Sequence, residues 1–392
     1  MSTLKVDAIR HNSATSDAIT TASDRTCTAK LTSVGGSQLS HRNIFINGAM
    51  LVAQYGTSST TNGYGSVDRF YVGNSGVDEA PTHAQADIST GTTPYTLGFR
   101  KSLKITNGNQ TSGAGAGEYI FINMAQEAQN LATSGWNYKS SSSFITLSFW
   151  IKSSVAQNFF FQFDVRDGTR QNYVMETGSL TADTWTKITK VIPGNSNLTI
   201  DNNTSVGAYI TFGVFWGTDY TASMSLETWG AASDSSKTPD NPTTWYTTND
   251  ATLEFTGIQL EVGSVATPFE HRSFGDELAR CQRYFYRMQN GSSGSYWVGH
   301  TSSYGGNNNI VMIHLPVCMR DNPTLGTSST ASHFQLWGNA TVENMSSLPT
   351  LRAGVAINPQ VVAIDINHNI TTGHTRILRF GSQAYLEFNA EL

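Results

Sequence analysis

Charged residues are scarce: Asp, Glu, Lys and Arg fill 14% of the 392 positions, against roughly 25% in an average soluble protein. The net charge is −5 and Lys and Arg form no run, so nothing supports electrostatic binding of nucleic acid. Cysteine is almost missing. Cys27, Cys281 and Cys318 are odd in number and far apart, which excludes a disulfide framework and a CxxC metal site. Assembly in a reducing cytoplasm is the simplest expectation. No apolar run approaches the ~20 residues that span a bilayer, so membrane insertion is not expected. The opening segment lacks the apolar stretch of a Sec signal.

Catalytic signatures are missing as well. The nine histidines show no HExxH or paired metal spacing, and His300 and His314 read as strand residues. The run GAGAG at 113–117 lacks the GxGxxG and GxxxxGK spacings and reads as a turn before the strand YIFINM. No GxSxG elbow or Ser-His-Asp arrangement can be drawn. Expected catalytic residues and cofactors are therefore none.

What is present is Ser, Thr, Asn and Gly, together with 11% aromatic residues. That is too aromatic for a disordered tract and points to a mostly-β protein with many turns. Residues 1–43 are polar, with isolated apolar positions such as Leu4, Val6, Ile9 and Ile19 and no filled heptad. Such a segment cannot bury a core in one copy, whereas threefold association would share one along an axis; a flexible tail is the other reading.

From Asn43 to about Arg272 the apolar residues recur with period two. Ile145, Leu147, Phe149 and Ile151 share one face; Phe159, Phe161, Phe163 and Val165 share another. Val206, Ala208, Ile210, Phe212, Val214 and Trp216 form a third such row, which makes Trp216 a core residue, as strand position does for Trp150 and Trp185. Across Gly257 the phase changes between Leu253–Phe255 and Ile258–Leu260–Val262, as a β-bulge requires. Strands at this density without helices predict a jelly-roll-type β-sandwich. One helix is predicted at about 274–288, with Leu278, Cys281, Gln282 and Phe285 at helical spacing and Ser273 as its cap. Beyond it, strands are predicted near 296–300, 310–315, 333–337, 361–366, 375–380 and 384–388.

Aromatic residues in polar loops are the candidate ligand site: Trp136 and Tyr138 in SGWNYKSSSS, Trp229 in ETWGAAS, Trp245 and Tyr246 in NPTTWYTTND. A ring offers a face on which sugar C–H groups stack while nearby amides and hydroxyls bind the sugar's hydroxyls. Alternatively, these rings seal sandwich edges or a subunit interface. Hydrolysis of a glycan would need two carboxyl groups about 5–10 Å apart in a groove. Glu118, Glu127, Asp164, Asp167 and Glu176 are the acids to consider, and Asp164 beside Arg166 suggests an ion pair before it suggests catalysis.

Several motifs resemble one known family. They are the stretch Asn43–Phe70, opening NIFINGAM and ending VDRF; ITLSFWIKSS at 145–154; TWTKITKVIPG at 184–194; the junction IQLEVGSVATPFEHRSFGDELARCQRYF at 258–285; and the ending FNAEL. The opening STLKVDAIRHNSATSDAITTASDRTCTA is similar too, whereas 289–357 matches little beyond LPVCMRDNPT. Together they resemble tail-fibre and tail-associated proteins of tailed phages of aquatic bacteria, cyanophages included. The resemblance implies a virion component, made in the host cytoplasm and released by lysis, with a carbohydrate-binding-module-like sandwich and no catalytic residue. Sandwiches of this type often hold a structural Ca2+, but no ligand spacing marks one here.

The expected organisation is an attachment segment at 1–43, the sandwich at 44–272, and a linking helix plus C-terminal β module at 273–392. The expected function is non-catalytic attachment to host-surface polysaccharide by a homotrimer anchored to other phage tail or virion proteins through residues 1–43. The rivals are a capsid or baseplate decoration protein and a polysaccharide depolymerase tailspike.

Overall fold

The computed structural model describes residues 8–10, 19–21, 27–29, 41–290, 294–305, 308–338, 341–352, 359–367 and 376–392. Most of the expected attachment segment thus lies outside the described residues. Within it, β1 (Ala8–Ile9), β2 (Ile19–Thr21) and β3 (Cys27–Ala29) pair as an antiparallel sheet.

The period-two segments become β4 (Ser58–Ser59), β5 (Tyr71–Ser75), β6 (Thr82–Asp87), β7 (Lys101–Thr106), β8 (Tyr119–Glu127) and β9 (Phe144–Ser153). They continue as β10 (Phe160–Val165), β11 (Gln171–Glu176), β12 (Thr186–Pro193), β13 (Val206–Trp216), β14 (Trp229–Ala231) and β15 (Thr252–Val262). These strands build two six-stranded sheets, ordered β14-β11-β10-β13-β8-β5 and β12-β9-β15-β7-β6-β4. Phe149 of β9 meets Phe161 of β10 at 5.2 Å and Phe212 of β13 at 4.8 Å, both edge to face. All three rings are buried, and each such burial stabilises by about 1.5–3 kcal/mol. The protein is mostly β with an antiparallel sandwich, as its residue pattern predicts.

Register shifts set which face each side chain takes. At Gly257 the ladder between β15 and β9 slips between Thr256 and Gln259, and φ is +63°. A Cβ there would lie 2.6 Å from Phe99 Cζ, so both the backbone angle and the packing require glycine. A second slip, in β13 against β8, falls between Gly213 and Phe215. It reverses the expected row: Phe215 turns into the core and Trp216 turns out. Trp216 is buried as expected but packs outside the sandwich's main apolar cluster.

The helix also departs from expectation. It starts at Phe274, where Ser273 Oγ accepts from the Asp276 amide (3.2 Å), but it ends at Gln282. The helical spacing continues to Phe285, yet β16 (Phe285–Gln289) pairs with the chain's last strand along five residues, and that ladder overrides local preference.

The strands beyond are β17 (Tyr296–Gly305), β18 (Asn308–His314), β19 (Thr324–Thr327), β20 (Phe334–Gly338) and β21 (Thr341–Asn344). The last four are β22 (Thr350–Leu351), β23 (Val361–Asn367), β24 (Arg376–Phe380) and β25 (Tyr385–Asn389). They form a three-stranded sheet, β16-β25-β19, and a seven-stranded one, β21-β20-β24-β17-β18-β23-β22. Phe334, Leu336, Leu378, Phe380 and Phe388 belong to the apolar core of these sheets.

The stretch Asn43–Phe70, the 258–285 junction and the chain's FNAEL segment meet along one seam between the sandwich and this C-terminal part. Asn47 of INGAM binds the Val52 and Asp68 carbonyls through its amide nitrogen (2.8 and 2.9 Å). Arg69 of VDRF pairs with Glu391 of the chain end and lies 3.4 Å over the Tyr284 ring. Buried Glu127 accepts from Arg283 Nε and Nη2, each at 2.8 Å. Arg320 Nη1 donates to the Thr204 carbonyl at 3.0 Å. Residues distant in the chain are thereby clamped by charge-assisted bonds in a site of low dielectric.

Candidate functional site

The outer face of the sheet β14-β11-β10-β13-β8-β5 carries a groove of about 320 Å3. Its aromatic side begins with two glycines. Gly73 of β5 and Gly213 of β13 flank Phe121 of β8 in register. A Cβ on Gly73 would lie 2.6 Å from the Phe121 ring, and one on Gly213 would lie 2.3 Å from Trp216 Nε1. With neither Cβ present, both rings lie flat on the sheet. They stack on each other at 5.4 Å and 12°, and Tyr71 extends the row at 6.0 Å and 17°. Tyr119 and Tyr220 close the end around Trp216.

The polar side follows from the same alternation. Asn123, Thr211 and Gln162 lie in one row across β8, β13 and β10, and Asp164 and Asn172 face each other across β10 and β11. Thr211 Oγ1 donates to Asn123 Oδ1 (3.0 Å), and Asn172 Nδ2 donates to Gln162 Oε1 (2.7 Å). Asp164 Oδ2 takes Arg166 (3.0 Å) and Arg170 (2.8 Å). Arg170 also reaches Asp234 (3.4 Å), as does Lys237 (2.8 Å), whose ammonium stands 5.4 Å from the Trp216 ring centre.

Three atoms of this groove have no hydrogen-bond partner among the described residues: Asp164 Oδ1, Arg170 Nε and Trp216 Nε1. Asp164 and Trp216 are each 4% exposed. Leaving a buried polar group unpaired costs about 1–3 kcal/mol. One acceptor and two donors held beside a row of rings are a template for hydroxyl-bearing ligands with an apolar face.

The loop aromatics expected to bind glycan do not line this groove. Trp245 and Tyr246 are fully buried. Trp245 Nε1 donates to the Thr252 carbonyl (3.0 Å), and Tyr246 stacks on Phe215 at 4.1 Å. Asn107 draws their short helix inward through bonds to the Trp245 and Tyr246 carbonyls. Trp136 is buried against Phe163 at 6.1 Å. Trp229 is half-buried, 6.1 Å from the same Phe163, with Nε1 donating to the Pro193 carbonyl (2.7 Å). Tyr138 is half-buried beside Trp136 at 6.2 Å. Trp136, Tyr138 and Trp229 thus gather around one end of the core, apart from Trp245 and Tyr246, because each ring finds more apolar area inside than its loop offers.

Trp150 and Trp185, expected in the core, are half-buried on the outer face of the other sheet, near Phe99 and Phe269. A cavity of about 400 Å3 opens there, but none of the unpartnered polar atoms found lies in it. Sequence reasoning missed the groove since its rings sit in strands; the signal was Gly213 three residues before Trp216, a glycine inside a strand row.

The acids considered for hydrolysis are dispersed among separate partners. Burial pushes Glu127 up, but the bonds from Arg283 and Tyr284 outweigh it and hold the carboxyl below its ordinary range. Glu118 accepts from the Gly115 amide (2.6 Å), Asp167 from the Asp201 amide (2.9 Å) and Glu176 from Asn158 (2.7 Å). No group of three or more His, Cys, Asp or Glu suited to a metal occurs among the described residues. No helix there is long and apolar enough to cross a membrane.

No family model matches the chain, and no curated protein matches it. Among solved structures, it overlays on a "CBM4 structure and function" chain with 13% identity and a TM-score of 0.27, covering 55% of this chain and 97% of that one. A putative sugar-binding protein from Bacteroides thetaiotaomicron VPI-5482 gives 11% identity and 0.31, covering 56% and 99%. The enzymatically active domain of tailspike protein 4 of bacteriophage CBA120 gives 10% and 0.30, covering 56% of this chain. The overlay takes in 21% of that tailspike chain, about a fifth of its length. Scores this far below 0.5 carry no argument about kinship or function.

Proposed function

We propose that this protein binds a glycan in the groove of the sheet β14-β11-β10-β13-β8-β5, without cleaving it, as part of a virion fibre. The observation that carries the binding half is the union of flat rings and unpartnered polar atoms on one concave face. The non-catalytic half is supported by the groove's own acids. Asp164 is committed to two arginines. The hydrogen bond from Lys237 holds Asp234 below the ordinary carboxylate range, whereas a general acid needs a raised one.

The fibre half rests on the INGAM, VDRF and 258–285 motifs, which build the seam. In this reading residues 1–43 attach the chain to another virion protein, residues 44–272 present the groove, and residues 273–392 form the outer module. Three copies on one axis raise the effective concentration of weak sites and cover strand edges that otherwise invite aggregation.

Purified chain titrated with polysaccharide extracted from host cells should bind with a saturable isotherm and release no oligosaccharide. Oligosaccharide release would make it a depolymerase. No binding, with labelled protein found on the capsid, would make it a decoration protein. Light scattering should give three times the 42.5 kDa chain mass; a stable monomer would reject the trimer.

A further inference from the structure

Resting on the glycan reading, we infer that the groove takes a neutral, hydroxyl-bearing glycan and rejects one bearing carboxylate or sulfate groups. The groove holds three cations, Arg166, Arg170 and Lys237, which by themselves would suggest an acidic ligand. Each has a carboxylate partner, and the two carboxylates offset two of the three charges. Arg166 and Arg170 share Asp164 Oδ2, while Arg170 and Lys237 share Asp234.

What remains unmatched is decisive. Asp164 Oδ1 is a carboxylate oxygen, more than nine-tenths buried, with no donor among the described residues. A carboxylate only accepts, so a ligand group bonded to this atom must donate. Ionised carboxylate and sulfate groups only accept; beside Asp164 they would leave the vacancy unfilled and set two negative charges together in a site of low dielectric. A hydroxyl donates and accepts at once. It can therefore satisfy Asp164 Oδ1 while accepting from Arg170 Nε or Trp216 Nε1, the two unmatched donors of the same groove. Half-buried Phe121, stacked between Tyr71 and Trp216, meanwhile offers an apolar surface, which suits the C–H side of an uncharged sugar ring.

The test is a glycan array carrying neutral and acidic bacterial-surface glycans, backed by affinity electrophoresis in dextran, mannan, laminarin, alginate, polygalacturonate and chondroitin sulfate at about 0.15 M salt. The full chain should bind neutral members and leave the acidic ones unbound. Preferential binding of acidic members would overturn the charge inference and leave the glycan reading standing. No binding to any member would overturn both. Two variants sharpen the result. Asp164→Asn should lose at least tenfold in affinity for the neutral ligand and gain affinity for acidic polymers, since Arg166 then loses its carboxylate and Arg170 keeps only Asp234. Asp234→Asn alters a largely exposed residue and is expected to fold; it should raise acidic-polymer affinity about threefold through Lys237. Unchanged selectivity in a folded Asp234→Asn protein would refute the charge-matching argument.

Discussion

Replacing Gly213 by alanine perturbs the groove without touching a residue that contacts solvent chemistry directly. The added Cβ would sit 2.3 Å from Trp216 Nε1 and 2.5 Å from Cδ1. Ordinary contacts between such atoms are about 3.5–4.0 Å, so the indole must swing by about 1 Å or more. Because the Cβ rises from the sheet under the ring, it pushes the indole toward the groove. Overpacking of this kind costs about 1–3 kcal/mol, which for a unit of this size lowers Tm by roughly 2–12 °C. Ligand affinity should suffer more. A displaced ring forfeits its stacking, worth about 0.5–1.5 kcal/mol, and mis-aims Nε1, whose hydrogen bond is worth about 1 kcal/mol. The sum corresponds to a ten- to hundredfold rise in Kd. Calorimetric titration beside a thermal melt separates the two effects. A Gly213→Ala protein that folds and binds as tightly as the parent would refute the claim that flat rings on bare backbone make the site.

The buried loop rings should behave oppositely. Trp245→Ala removes a fully buried side chain and should cost about 3–5 kcal/mol of stability; a melt unchanged within 1 °C would contradict its placement. Above pH 7, where Glu391 is ionised, Arg69→Ala strips that buried carboxylate of its counter-ion and should cost about 3–5 kcal/mol, seen as a lower denaturant midpoint; an unchanged midpoint would show that this pair adds nothing. The seam also sets a pH dependence. Burial raises Asp68 to about 6, and burial, partly opposed by Arg69, raises Glu391 to about 7. Unfolded Asp and Glu titrate near 4, so the folded state holds protons that the unfolded state has released. Stability from these groups is therefore present at pH ~4 and lost as pH rises to ~7. Denaturant melts at pH 5 and 7.5 should show that fall, and Glu391→Gln should flatten it; a fall unchanged in the variant would clear Glu391 of the effect.

Much of the fold was legible because a half-buried strand writes its burial into every second residue. Ile145 to Ile151 and the phase change at Gly257 are of that kind. The groove was not legible for the same reason turned around. One extra residue in β13 moves Trp216 to the opposite face, and a row read as continuous assigns it to the core. The loop rings misled because polarity of a sequence neighbourhood says little about where a large ring ends up. Trp245 sits among Thr, Asn and Asp, yet Asn107 and Gln157 bind its local backbone and fold it inward. The helix beyond Gln282 illustrates a third limit: Phe285 satisfies helical and strand spacing alike, and only pairing with β25, a hundred residues on, decides.

The most direct measurement is a crystal structure of the full chain with an oligosaccharide of the glycan it binds. The account predicts one sugar face on Trp216 and Phe121, with a ring hydroxyl within about 3 Å of Asp164 Oδ1. A sugar seated on Trp150 and Trp185, on the exposed Trp297 and Trp337 of the C-terminal sheet, or anywhere else outside this groove would contradict it.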